Sequence, residues 1–233
     1  MVKKYPEQAR LMVEHASSLN SLEPQFLEDQ LKRLGLGDKS MHYHKIWAVE
    51  EGKKFQNRIP DYLQRDMLAL VVNFVDMLTH RSSQTDVLKE LVQDETGFRA
   101  AVKSWLEHSW LLHVLKKLSE SGFTVIVTSD HGSIRVQKDV MVAADREAST
   151  GVRYKYGRNL NTKGRNALII HDPAEYRLPA FGPQPTYLIA KDDVFFVYPN
   201  QVHKFLSKFK NSFQHGGISM EEMMVPVAVM KAR

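Results

Sequence analysis

Two strongly apolar runs separated by a helical segment constrain the fold of this chain more than any other feature. Residues 67–75 and 123–128 form the two runs, and both are rich in the β-branched residues that favour strands. Between them, residues 98–121 place apolar side chains at helical spacing, and Gly122 follows as a typical helix stop. A strand, a helix and a strand in this order indicate a crossover between parallel strands. The sequence therefore predicts an α/β fold with a mainly parallel sheet flanked by helices.

Further elements are predicted on both sides of this unit. The first sixty residues are predicted to be helical and irregular, with a helix at residues 22–34 that ends at Gly35. Asp192 and Asp193 are typical of a hairpin turn between two of the later strands. These strands are predicted at residues 167–170, 186–190, 194–198 and 225–230, with a helix at residues 201–210. No internal repeat or linker divides the chain, so we predict a single domain over residues 1–233.

The composition excludes several classes of protein. The 233 residues include no cysteine, which excludes a disulfide framework, thiolate metal sites and a cysteine nucleophile. No apolar run approaches the roughly 20 residues of a membrane span, and the basic start has no apolar segment after it as a secretory signal would. These features predict a cytoplasmic protein with no membrane partner. Any metal ion must be bound by histidine and carboxylate side chains.

Aspartate and histidine pairs follow the ends of the two apolar strands. Asp76 and His80 come after the first strand, and Asp130 and His131 come directly after the second. A third histidine, His215, precedes two glycines near the C-terminus. Because ligands bind beyond the carboxyl ends of parallel strands, we expect these side chains to lie close together. Imidazole and carboxylate are the ligands that Zn²⁺ or Mn²⁺ accepts when thiolates are absent.

Each of these residues also has an ordinary structural explanation. An aspartate at a strand end commonly caps a helix or forms a turn, and a lone histidine is commonly a surface residue. The metal site is favoured because two such pairs and a glycine-flanked histidine occur in one chain. From the pattern alone, both explanations remain open.

A basic segment follows the second strand. Between residues 148 and 171 there is no acidic residue, whereas the segment includes Arg153, Lys155, Arg158, Lys163 and Arg165, within a chain of net charge +5. Such a run is usually a solvated loop. It could also bind phosphate, because arginine and lysine are good donors to anionic oxygens.

These motifs together resemble the alkaline phosphatase superfamily. The resemblance lies in Asp130-His131-Gly132, in the spacing of Asp76 and His80, and in the motif His215-Gly216-Gly217-x-Ser219-x-Glu221-Glu222-x-x-Val225-Pro226. Within the superfamily the chain is most similar to PglZ domains, and further segments resemble the end of PorX-type response regulators. These segments are Leu27-x-Asp29-Gln30-Leu31-x-Arg33-Leu34-Gly35-Leu36 and Arg153-Tyr-Lys155-Tyr-Gly157-Arg158-Asn159.

The resemblance implies a metal site and a reaction. Family members bind two metal ions, usually zinc, although Mn²⁺ could replace it. By position, Asp76, His80 and His215 would bind one ion, and Asp130 and His131 the other. The paired ions would support phosphoryl transfer, and the related PglZ proteins act as nucleotide or oligonucleotide phosphodiesterases. In this context Arg153, Lys155 and Arg158 become candidates for contacts with substrate phosphate.

The nucleophile that the resemblance implies is not found in the sequence. Relatives have a Thr or Ser nucleophile shortly before a Tyr-Pro pair such as Tyr5-Pro6, so it is expected upstream of residue 1, together with the N-terminal strand and a bridging aspartate. Ser17, Ser18 and Ser21 are not expected to replace it. Either the chain is a piece of a larger protein or it has lost catalysis, and the retained ligands favour the first explanation. The chain by itself is expected to be weakly active or inactive.

The resemblance also implies partners, and it leaves rival functions open. The parent would contain a receiver domain and act as the output of a two-component regulator linked to type IX secretion, with a secretion-system or sigma-factor partner. One rival is a non-catalytic interaction module with the same fold. Another is a phosphomonoesterase or phosphomutase of the same superfamily. A third is plain nucleic-acid binding through residues 153–165, which should weaken steeply with salt.

Overall fold

A computed structural model describes residues 22–81, 85–144, 151–179 and 185–232, which form a mixed α/β structure of eight helices and twelve strands. The helices are α1 (Glu23–Arg33), α2 (Val49–Asn57), α3 (Phe74–Arg81), α4 (Asp86–Leu91), α5 (Glu95–His108), α6 (Trp110–Glu120), α7 (Val202–Phe209) and α8 (Met220–Met223). The strands are β1 (Met41–Ile46), β2 (Met67–Val72), β3 (Val125–Thr128), β4 (Ile134–Arg135), β5 (Lys138–Ala143), β6 (Tyr154–Gly157), β7 (Asn161–Thr162), β8 (Ala167–Ile170), β9 (Thr186–Ala190), β10 (Val194–Val197), β11 (Phe213–Gln214) and β12 (Val227–Met230).

A parallel strand–helix–strand unit does occur, but not between the strands that the sequence indicated. β2 pairs in parallel with β1, and α2 connects the two strands. β1 lies in the region that we predicted to be helical and irregular. Its sequence, Met-His-Tyr-His-Lys-Ile, contains three polar residues and therefore lacks the apolar signal of a buried strand. β3 pairs antiparallel with β12 in the described part of the chain, so the crossover between β2 and β3 that the sequence indicated is not observed there.

The strands form five small sheets in the described part of the chain. Pairing is parallel for β1 with β2 and for β5 with β10, and it is antiparallel for β3 with β12, β4 with β11, β5 with β7, and β9 with both β6 and β8. Asp192 and Asp193 do form a turn, but β9 and β10 on either side of it belong to different sheets. The predicted hairpin was therefore wrong, because each strand finds its partners far along the chain.

The long helix predicted between the two apolar runs is two helices. α5 ends at His108 and α6 begins at Trp110, with Ser109 between them in an extended conformation. The Ser109 hydroxyl accepts a hydrogen bond from the Leu111 backbone N–H, which is typical of a residue that caps the start of a helix. The apolar spacing continues across the break, so periodicity alone does not reveal it.

Most of the shorter predicted elements are confirmed. β8 and β9 have the predicted bounds, and α1, α7, β10 and β12 differ from them by two residues or fewer at each end. Gly35 and Gly122 end their helices with φ angles of +74° and +80°, as the predicted helix stops require. None of the described helices combines the length and apolarity that crossing a membrane would require.

The largest core cluster covers β1 and β2 with α2 and α6. Phe55, Trp110, Val114 and Leu118 are buried in it. Gly52 permits this packing, because a Cβ atom at that position would lie 2.1 Å from Cε2 of the Trp110 indole.

β3 is not buried as the sequence predicted. Its Ile126 and Val127 side chains are exposed, as are Val227 and Val229 on the neighbouring β12. The two strands pair edge to edge, which buries backbone groups but not side chains, so their apolar faces remain exposed to solvent in the described part of the chain.

Candidate metal site

Helix α3 brings the first aspartate and histidine together. Asp76 lies in its first turn and His80 in its last, so the four-residue spacing puts both on one face. His80 Nε2 is 3.4 Å from Asp76 Oδ1. The helix follows β2 after a single residue, which places both side chains beyond the carboxyl end of that strand.

A two-stranded ribbon brings the other two histidines to the same place. β4 begins three residues after His131, and β11 ends one residue before His215. Since β4 and β11 pair antiparallel, both histidines lie at the same end of the ribbon. Their rings stack with centroids 4.0 Å apart.

Asp76, His80, His131 and His215 form one group, which we call the Asp–His cluster. Ligand atoms of Asp76, His131 and His215 all lie within 4.8 Å of one another. His215 Nε2 is 3.4 Å from Asp76 Oδ1 and 3.0 Å from His80 Nε2. The structure thus brings together four of the five side chains that the sequence predicted to lie close together.

The electrostatics of the cluster suit a cation. The neighbouring His215 and His80 imidazoles hold the pKa of the Asp76 carboxyl well below its usual range, and the contact with Asp76 raises the pKa of His80. Although both imidazoles are near, Asp76 Oδ1 is buried without a well-aligned hydrogen bond. A buried carboxylate oxygen in that position fits a metal ligand, and three imidazoles complete a donor set that Zn²⁺ or Mn²⁺ accepts.

Asp130 lies at the exposed edge of the cluster, with its Oδ1 3.8 Å from His131 Nε2. Its side chain is 91% exposed, and its Oδ1 accepts a hydrogen bond from the backbone N–H of His131 at 3.1 Å. The sequence grouped Asp130 with His131 at a second ion, whereas His131 stacks on His215 and shares a site with Asp76. The difference arises because the irregular turn stacks the His131 ring on His215 and leaves the neighbouring Asp130 carboxylate exposed.

Glu222 ties together the two loops that contain His131 and His215. Its carboxylate accepts hydrogen bonds from the backbone N–H groups of Gly217 at 2.8 Å and Ser219 at 3.0 Å, in the His215 loop. Its backbone carbonyl accepts from the N–H of Gly132 at 2.9 Å, in the His131 loop. A Cβ at Gly132 would lie 2.0 Å from the Glu221 carbonyl oxygen, so only glycine allows this approach. Glu222 therefore positions two members of the cluster.

Arg153 is the buried partner of Glu222 and not an exposed phosphate ligand. Its Nε donates to Glu222 Oε1 at 2.9 Å, its Nη2 to Oε2, and its Nη1 to the Val194 carbonyl. The Arg153 side chain has no exposed area. Burial by itself would raise the pKa of Glu222, but hydrogen bonds from Arg153 and Gly217 outweigh it and lower the pKa. Sequence analysis missed this positioning role, since no local signal connects residues 69 apart.

Lys155 is also buried, and only Arg158 of the proposed phosphate ligands is exposed. The Lys155 ammonium lies 4.3 Å from the centre of the Tyr198 ring, where a cation–π contact stabilises it. This placement argues against phosphate contacts by Arg153 and Lys155, because a bound phosphate would have to enter the core. Tyr5, Pro6, Ser17, Ser18 and Ser21 lie outside the described residues.

The buried ammonium of Lys155 leads to a pH-dependent stability. Burial lowers the pKa of Lys155 from 10.5 to about 8, so between these values the unfolded chain binds more protons than the folded one. The free energy of unfolding is therefore expected to rise from pH 7.5 to 9.5 by about 1–2 kcal/mol, measured by urea unfolding. Above pH 10 the raised pKa of Tyr187, about 12, acts in the opposite direction.

Lys155→Met should remove this rise, and Lys163→Met, at an exposed lysine nearby, should retain it. A rise of the same size in both variants would show that another group titrates.

Comparison with known proteins places the chain in a family. A family model described as the BREX system PglZ alkaline phosphatase-like domain matches residues 11–230. A search of the curated proteins gave no match. The matched region contains the whole Asp–His cluster and the loops that Glu222 holds, and it spans nearly the whole sequence. The chain therefore belongs to the PglZ family of alkaline phosphatase-like domains.

Proposed function

We propose that this chain is part of a metal-dependent phosphodiesterase that acts on nucleotide or oligonucleotide diesters. The observation that supports the proposal most is the Asp–His cluster, in which ligand atoms of Asp76, His131 and His215 lie within 4.8 Å of one another. Its occurrence in an alkaline phosphatase-like family, a phosphoesterase-type superfamily, points to phosphoric-ester chemistry.

The proposed metal ions are two Zn²⁺ in the complete domain, with Mn²⁺ as the alternative. Asp76, His131 and His215 would bind one ion, with His80 beside them. Asp130, whose Oδ1 is 3.8 Å from His131 Nε2, would bind a second ion at the exposed edge of the cluster. A bound ion would supply charge stabilisation to the phosphoryl group and would activate the attacking hydroxyl.

The proposal also includes the cellular role of the domain and the form of its complete sheet. The motifs that resemble PorX-type regulators support a cytoplasmic output domain, attached to a receiver domain and linked to type IX secretion through a secretion-system or sigma-factor partner. The exposed apolar side chains of β3 support a larger, mainly parallel sheet whose faces are covered by further helices.

The test combines metal analysis with hydrolysis in the full-length natural polypeptide that contains this chain. Zinc-loaded protein is expected to hydrolyse a dinucleotide diester faster than a nucleoside monophosphate, and a chelator should abolish the reaction. Faster hydrolysis of the monoester would indicate the phosphomonoesterase alternative. Bound metal without turnover of either ester would contradict the phosphodiesterase.

The alternative from another class is a non-catalytic interaction module. The exposed Ile126, Val127, Val227 and Val229 side chains favour it, because exposed apolar patches of this kind commonly mark binding surfaces. This alternative predicts that Val127→Asp weakens partner binding, whereas substitutions in the Asp–His cluster do not.

A further inference from the structure

A basic groove lies on the ribbon of β4 and β11, which also leads to the Asp–His cluster. It has a volume of about 350 Å³, and the residues that line it include three lysines and one arginine but no carboxylate. These four are Lys89, Arg135, Lys208 and Lys210. The surrounding sequence has the same character, because residues 194–220 contain no aspartate or glutamate. The groove therefore has a positive potential that attracts anions.

Neutral donors accompany the charged ones in this groove. Gln93 and Asn211, whose side-chain amides can donate, line it beside the lysines. Arg135 is held in place because its Nε donates to the Asn211 carbonyl at 3.3 Å. Arginine, lysine, glutamine and asparagine side chains are the usual donors to nucleic-acid phosphates. No aromatic residue is among those that line the groove, so it offers donors for a backbone and no surface on which a base would stack.

The ribbon of β4 and β11 links the groove to the cluster. Arg135 and Ser212 line the groove. Arg135 follows His131 by four residues, and Ser212 precedes His215 by three. Three residues of chain span at most roughly 11 Å. Val92 in the groove also packs with Leu78 of α3 and with Phe213 in one buried cluster. Groove and cluster thus rest on the same rigid support.

We propose that this groove binds backbone phosphates of a single-stranded nucleic acid whose diester lies at the Asp–His cluster. The inference rests on the proposed function, because it extends the same substrate beyond the reacting diester. At about 3.4 Å of rise per stacked nucleotide, a span of roughly 11 Å corresponds to about three nucleotides. Chains of four or more nucleotides should therefore reach the groove, whereas a dinucleotide, whose single diester lies at the cluster, has no further backbone phosphate for it.

The test compares two charge-removing variants. Lys208→Gln with Lys210→Gln removes two charges from the groove, and Lys204→Gln removes one from the same helix outside it. Binding of a fluorescent oligothymidylate of eight nucleotides is measured with chelator present, over a range of salt. The double variant is expected to bind roughly five- to tenfold more weakly than wild type, and its salt slope should be shallower by about 1.4. Lys204→Gln should resemble wild type.

Other outcomes separate this inference from the proposed function. Equal affinity of the double variant and Lys204→Gln would overturn the groove, as would equal binding of a polyglutamate peptide of the same length. Hydrolysis of dinucleotide and octanucleotide with the same KM would also overturn it while leaving the phosphodiesterase intact. Loss of binding in the double variant, without hydrolysis of any diester, would support the groove and contradict the proposed function.

Discussion

Glu222→Gln is expected to lower the free energy of unfolding by about 3–5 kcal/mol. The substitution leaves the Arg153 guanidinium, which has no exposed area, without its counter-charge. The glutamine must also replace a carboxylate that accepts hydrogen bonds from Arg153, Gly217 and Ser219, although one of its two polar groups is a donor. A buried charge that loses its partner keeps the full cost of leaving water. Urea unfolding followed by circular dichroism measures the change.

Glu221→Gln is the matched control for this prediction. Glu221 is the preceding residue, it is exposed, and it undergoes the same chemical change. We expect its free energy of unfolding to stay within about 0.5 kcal/mol of wild type. Similar losses in the two variants would contradict the role of the buried pair, since they would point to the general loss of negative charge near α8.

Asp76→Asn is expected to weaken Zn²⁺ binding at least about 100-fold, equivalent to roughly 2.7 kcal/mol. The carboxylate contributes the only negative charge of the Asp–His cluster, and its buried Oδ1 has no well-aligned hydrogen bond that a metal would have to displace. An asparagine oxygen is neutral and would leave the ion with imidazole donors alone. Competition of the protein with a chromophoric zinc chelator measures the affinity.

Zinc binding by Asp130→Asn distinguishes a site for one ion from a site for two. The Asp130 side chain is 91% exposed and lies at the edge of the cluster, outside the group formed by Asp76, His131 and His215, so the tight zinc site is expected to keep its affinity in this variant. A stoichiometry that falls from two ions to one in Asp130→Asn would show that this side chain binds the second ion. If Asp76→Asn retained wild-type affinity, the Asp–His cluster would not be the metal site.

The elements with strong local signals were those that the sequence predicted well. Apolar runs identify the strands β8, β9 and β10, and helical spacing of apolar residues identifies α7. Such signals are local, because strand and helix propensities depend on neighbouring side chains. β1 was missed since its histidines and lysine hide the strand, and the break at Ser109 was missed since the apolar spacing continues past it. Both errors have the same cause. The periodicity of apolar residues reports which side chains are buried and does not report which backbone groups are hydrogen-bonded.

The candidate site divides in a similar way. Asp76 and His80 could be paired from the sequence, because their spacing fixes them on one helix face. The sequence could not predict that His131 stacks on His215 while Asp130 stays at the exposed edge of the site. The path of an irregular loop depends on distant contacts, such as the hydrogen bond from the Gly132 backbone N–H to the Glu222 carbonyl. The burial of Arg153 and Lys155 was equally hidden, since a basic run looks the same on a surface and in a core.

Residue types and local elements follow from the order of the amino acids: the chain has no cysteine, its aspartates and histidines follow strand ends, and its motifs resemble PglZ domains. Which strands pair and which side chains meet depends on how the chain packs. His80 and His215 are 135 residues apart, and Arg153 and Glu222 are 69 apart. Contacts over such distances depend on how the whole chain packs, because no short-range preference favours one distant partner over another.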